Sequence, residues 1–187
     1  MARGRKNASF TLDQTYGSGH GDRSLIQRFY ATLNKLYPGD TPVPIPPESQ
    51  VHPKHDAETQ KYIFADYAVR KIVPIALRAV VLEAQAAKLE RLKPITDEKT
   101  ADVAASAAHT AAHTAELRRA AVIGGGGDDD YARDTIDAAY HAMSTAGSTN
   151  LGNAKVAAHR AATTADCVAK LNPDATWAAV NEMLQAL

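Results

Sequence analysis

Apolar positions recur at helical intervals over most of the chain. Leu25, Ile26, Phe29, Leu33 and Leu36 share one face of a helix over about 24–36, with Asp22 or Ser24 as its cap. Tyr62, Ala65, Val69, Ile72, Val73 and Ala76 form a second stripe, on a helix that Pro74 should kink or split and that continues through IALRAVVLEAQAAKLERL to Pro94. Thr96 or Asp97 then opens a helix over ADVAASAAHTAAHTAELRRAAVI, closed by GGGGDDD at 124–130. A helix over about 130–146 collects Ala132, Ile136, Ala139, Tyr140 and Met143 on one side, and Gly147 is expected to stop it. Asn150 or Asn153 caps the following helix, which runs to Leu171 with Ala157, Ala161, Ala165 and Val168 inward. Asn172 and Pro173 break the chain, and Asp174 is the expected cap of a last helix carrying Trp177, Val180 and Leu184.

Two segments interrupt this periodicity. Residues 1–21 are basic and glycine-rich, the pattern of a mobile arm, and six of the nine prolines lie between Pro38 and Pro53. Such proline density forbids a regular helix and favours extended backbone, as a linker or as a strap across the helical body. The chain therefore divides into an N-terminal part, 1–55, holding the arm, the short helix and the proline-rich segment, and a helical part, 56–187. Alanine makes up 37 of the 187 residues, all but three of them beyond residue 56. Alanine is the best helix former and fills little volume, so the expected fold is all-α: an antiparallel bundle of closely packed Ala-rich helices with a Pro-rich N-terminal strap. The repeated AAHT at 107–114 is too short to be a structural repeat.

Charge and cysteine content narrow the function classes. One cysteine rules out an internal disulfide framework. Lys and Arg total 21, as do Asp and Glu, which argues against a dedicated nucleic-acid binder despite Arg3, Arg5 and Lys6 in the arm. The balance is uneven along the chain: residues 61–123 hold seven acids and ten bases, residues 124–187 eight acids and four bases. Either the halves complement each other within the fold, or an acidic surface faces a basic protein partner. The longest apolar run, Ile75 to Leu82, is interrupted by Arg78 and falls far short of the about 20 residues a bilayer requires. With no apolar signal core after MARGRK, a cytoplasmic location is the expectation.

The histidines are the main candidates for chemistry. His109 and His113 stand four apart on one helix face, a spacing able to share a metal ion. His141 follows Asp137 by one turn and His159 precedes Asp166 by two, so four antiparallel helices are able to gather His109, His113, Asp137, His141 and His159 into a metal- or cofactor-binding bundle. The helical wheel opposes this. Asp102, Ser106, His109, His113 and Glu116 share a stripe opposite Ala104, Ala108, Ala111 and Ala115; Asp130, Asp134, Asp137 and His141 oppose Ile136, Tyr140 and Met143; and Lys155, His159, Thr163, Asp166 and Lys170 oppose Ala157, Ala161 and Val168. All four histidines are thus expected on the solvated side, whereas di-metal bundles aim ligands inward, commonly in Glu-x-x-His pairs. No metal and no cofactor is favoured. Cys167 reads as a small buried thiol, and GGGGDDD lacks the strand and the Gly-Lys-Ser/Thr of a phosphate loop, so it reads as a hinge. No catalytic residue is assigned.

Three stretches, YIFADYAVRKIVPIAL, AASAAHTAAHTAE and AAYHAMSTAGSTNLGNAKVAAHRAA, followed by the terminal WAAVNEMLQAL, carry a resemblance. In order and spacing, residues 62–187 resemble the alanine-rich helical immunity proteins of bacterial polymorphic-toxin systems. Lys71 stands where that family more usually has an acid, and residues 1–55 have no counterpart in it. The resemblance implies a non-enzymatic protein that neutralises a cognate toxin by covering its active surface, and it brings no catalytic residue. A metal- or cofactor-binding bundle is the alternative, and a structural or phage-type assembly protein, with the arm and strap ordering against neighbouring subunits, is a further one.

Overall fold

A computed structural model describes residues 24–36, 44–124, 130–150 and 153–187. The arm, Asp22 and the middle of GGGGDDD lie outside these. Helix α1 spans Leu25–Leu36. It opens on a reciprocal capping box, in which Gln27 N donates to Ser24 Oγ and Ser24 N donates to Gln27 Oε1, both at 3.2 Å. A short 3₁₀ turn at Glu48–Gln50 follows. The rest is α2 (Ala57–Tyr67), α3 (Val73–Ala79), α4 (Glu83–Glu90), α5 (Glu98–Gly124), α6 (Asp130–Asn150), α7 (Ala154–Ala169) and α8 (Pro173–Ala186). Helix is the only regular structure among the described residues.

Pro74 has the expected effect. It has no N–H to donate and sits in the first turn of α3, and the chain passes from α2 into α3 through a π turn at Ala68–Ile72. The stretch Ile75 to Leu92 is not one helix, however. Val81 adopts φ 60°, Leu82 N donates to Leu77 O at 2.8 Å and Val81 N donates to Arg78 O at 3.0 Å. This is a Schellman ending with a valine in the position glycine usually takes, and it tucks Leu82 against the core near fully buried Leu77. Two further expectations about helix ends are corrected. α6 runs through Gly147 to Asn150, because Thr145, Ala146, Ser148 and Thr149 around the glycine are buried and their packing outweighs its weak helix propensity. α8 is capped by Asn172, which accepts from Ala175 N, with Pro173 at the first helical position, rather than by Asp174. Asn153 caps α7 and Asp97 accepts from Thr100 N at the start of α5, as expected.

The body is a stack of small side chains. α5 packs along α6 and α6 along α7, with the second pair antiparallel as shown by the contacts His141 with Arg160 and Asp134 with Lys170. Ala101, Ala104, Ala108, Ala112 and Ala115 of α5, Ala138, Ala139, Ala142 and Ala146 of α6, and Ala157, Ala158, Ala161, Ala162 and Ala165 of α7 are all fully buried. Buried hydroxyls fit among them by donating back one turn, as Thr145 does to His141 O and Thr164 to Arg160 O.

Large side chains enter from elsewhere. α1 lies on α7, and its Phe29 stacks on Phe64 of α2 at 5.6 Å. The proline-rich segment, from Pro44 onward, is a strap. The Tyr30 hydroxyl donates to Pro46 O, Ile45 and Val51 rest on the core, and Lys54 N and His55 N both donate to Leu187 O. Asp66, held by both oxygens to Arg70, also accepts from Ile95 N at 2.8 Å and so ties α2 to the segment leading into α5.

Candidate functional site

The five histidine and aspartate candidates separate into two places. His109 and His113 lie on the exposed face of α5, as expected. His113 Nδ1 is 3.4 Å from Glu116 Oε2, and Tyr140 of α6 donates its hydroxyl to Glu116 Oε1 at 2.8 Å. Tyr140 and His113, in that order, lower the pKa of the Glu116 carboxyl, and Glu116 in turn raises that of the Tyr140 phenol. The His109 ring lies 6.2 Å from that of Tyr140. Along the same outer face run Val103, Ser106, Thr110, His113 and Leu117, opposite the buried alanines; Val103 is 55% and Leu117 60% exposed. The two stand fourteen steps apart along the helix, a reach of about 21 Å.

His141 and His159 are elsewhere, and their placement on the solvated side is corrected. α1 covers the face of α7 that the wheel left to water, so His159 and Thr163 are half-buried, Asp166 is buried, and only Lys155 and Lys170 of that stripe are exposed. His159 Nδ1 is 2.9 Å from Thr32 Oγ1 of α1. The Thr32 hydroxyl donates to Arg28 O at 3.0 Å, which leaves its oxygen to accept from a hydrogen on His159 Nδ1. At His141 the roles reverse. Arg160 Nη1 lies 2.9 Å from His141 Nδ1, and a guanidinium has only hydrogens to give, so Nδ1 accepts and the proton resides on Nε2.

Both imidazoles are held neutral. Burial, then the neighbouring Arg160, His141 and Lys35, push His159 down to about 4. Burial and then Arg160 push His141 down as well, against the attraction of Asp137 and Asp166. Asp137 itself is exposed. Among the described residues, no group of three or more His, Cys, Asp and Glu side chains is arranged to hold a metal ion. At His141 and His159 the reason is visible: a fixed positive charge sits against one imidazole and acts on the other. Cys167 is buried, and burial pushes its thiol up to about 12, partly offset by Lys170, so it stays protonated and unreactive at neutral pH.

A recess of about 200 Å³ between α2 and the segment entering α5 is lined by Glu58, Thr59, Tyr62, Ile63, Ile95 and Thr96. It falls below the usual size of a small-molecule site. In the sequence Glu116 and Tyr140 are only members of helix stripes and Arg160 and Thr32 carry no signal, because each acts through a neighbour on another helix. No helix of the described residues is long and apolar enough to cross a membrane. Comparison with protein-family models, curated proteins and solved structures returns no match.

Proposed function

We propose that this chain is a non-enzymatic protein-binding module, and that its partner is a toxin neutralised in the cytoplasm by occlusion, the direction in which the immunity-protein resemblance points. The outer face of α5 carries this reading. A 27-residue helix anchored by alanines along one side presents Val103 and Leu117 on the other, with the bonded set His113, Glu116 and Tyr140 between and beside them. Rigidly held apolar anchors among satisfied polar groups are the surface chemistry of protein docking. The groups best suited to catalysis are set against it: Cys167 is a protonated buried thiol, and His159 is too weak a base to accept a proton near neutrality.

The test is to look for a secreted toxin encoded next to this gene and, with it, to measure binding and protection. The double variant Val103→Glu/Leu117→Arg should weaken the complex by at least about tenfold and abolish protection, with an unchanged melting temperature, since both side chains already face water. Full-strength binding by that variant would remove α5 as the docking face. Stoichiometric zinc or iron in purified protein, lost in His109→Ala/His113→Ala, would overturn the reading altogether.

A further inference from the structure

We propose that two copies of this chain pair about a two-fold axis, each seating Val81 in the recess of the other. Val81 ends α3 at φ 60°, a conformation glycine holds without strain, and it is 67% exposed. Strain kept for a side chain that faces water is accounted for by a contact outside the chain. The recess of about 200 Å³ between α2 and the entry to α5 is the matching socket. Tyr62, Ile63 and Ile95 line it, with Glu58, Thr59 and Thr96. It is too small for an ordinary small-molecule ligand and has room for one aliphatic side chain.

The two patches carry opposite charge. Near Val81 the chain exposes Lys71, Arg78, Lys88 and Arg91 against Glu83 and Glu90, both of which Arg78 binds. At the recess α2 and α5 both begin. Asp56, Glu58, Asp97 and Glu98 are exposed there, against Lys99 and a buried Lys61 that is held by Glu58. Lys93 stands between the two ends. Within one chain the patches cannot meet: along the continuous run of α2, the π turn and α3, Thr59 and Ala79 stand twenty steps apart, a reach of about 30 Å. Both nevertheless lie along one seam. The segment 83–96 returns beside the run, joined to it by Arg78 with Glu83 and Glu90, by Asp66 with Ile95 N, and by Ile95 at the recess. Two copies laid antiparallel with these seams facing bring each basic, knobbed end to the acidic socket of the other. That is the self-complementarity a two-fold contact requires. The contact does not rest on the outer face of α5. A footprint about one helical run long lies at the small end of specific interfaces, so the dimer forms reversibly.

Analytical ultracentrifugation of the full chain alone, over about 1–300 μM, should show a monomer–dimer equilibrium. Raising salt from about 0.05 to 0.5 M should weaken it by about tenfold. Val81→Gly should weaken the dimer by at least about tenfold while raising the melting temperature, a split that a folding defect does not produce. Thr59→Trp, which fills the recess, should weaken it as much. Mixing these two variants should restore part of the association, because an intact knob then meets an open socket. Thr59→Cys/Val81→Cys should oxidise to a covalent dimer, as the two sites are too far apart to bridge within one chain, and neither single variant should do so. A monomer at every concentration, association unchanged in both Val81→Gly and Thr59→Trp, or species that grow beyond the dimer would each overturn the proposal.

Discussion

His159 shows how far a neighbour alters one side chain. On the wheel of α7 alone it belongs with Lys155 and Lys170, yet α1 seats Thr32 on its Nδ1 and excludes water from much of the ring. Its pKa is about 4 in the folded chain and near the ordinary 6.5 when unfolded. Between those values the unfolded state binds the extra proton, so the stability that neutral burial contributes is fully present above pH 6.5. It is lost as pH falls towards 4. The loss should reach on the order of 2 kcal/mol, since water still screens part of the ring. Thermal melts in chloride buffers from pH 7 to 4 should show this slope for the wild type and a flatter one for His159→Gln.

At the scale of elements, two helix ends are decided against local preference, and the two matching substitutions have opposite chemistry. Val81 is 67% exposed and holds a left-handed φ of 60°, a conformation a β-branched residue adopts at a cost of roughly 1–2 kcal/mol. Val81→Gly should remove that strain and, after the added freedom of the unfolded chain, stabilise the protein by about 1 kcal/mol. A drop in denaturation midpoint would show that the Val81 side chain contributes packing the strain does not outweigh. Gly147 is the inverse case. It sits inside α6, and a Cβ added there meets nothing within 4 Å. Gly147→Ala should raise stability by about 0.5–1 kcal/mol in urea titration, with no change in the slope.

At the scale of the whole molecule, the alanine faces set the spacing between helices and leave no room for enlargement. Ala108 on α5 and Ala161 on α7 are fully buried, so Ala108→Leu and Ala161→Leu should each cost about 1–3 kcal/mol, read as lowered melting temperatures; unchanged melting in both would refute close packing. Alanine content, the apolar stripes and the caps Ser24, Asp97 and Asn153 determined an all-α bundle and most helix positions from sequence alone. Those signals act within a turn or two of the chain, where propensity and capping are felt. The proline segment announced extended backbone, but only the pairing of Lys54 and His55 with Leu187 makes it a strap. The ending at Val81 escaped notice because no glycine marks it, and the passage of α6 through Gly147 because burial of its neighbours overrides propensity. The site followed the same division. His109, His113, Asp137, His141 and His159 are legible in the sequence as candidates, and the α5 pair lies on the exposed face that its helical wheel predicts. Arg160 against His141 and Thr32 against His159 join residues 19 and 127 apart in sequence. Which faces meet, and therefore which imidazoles lose water and which charge stands beside them, is set by α1 docking on α7, a packing of side chains remote in sequence that no periodicity within either helix encodes.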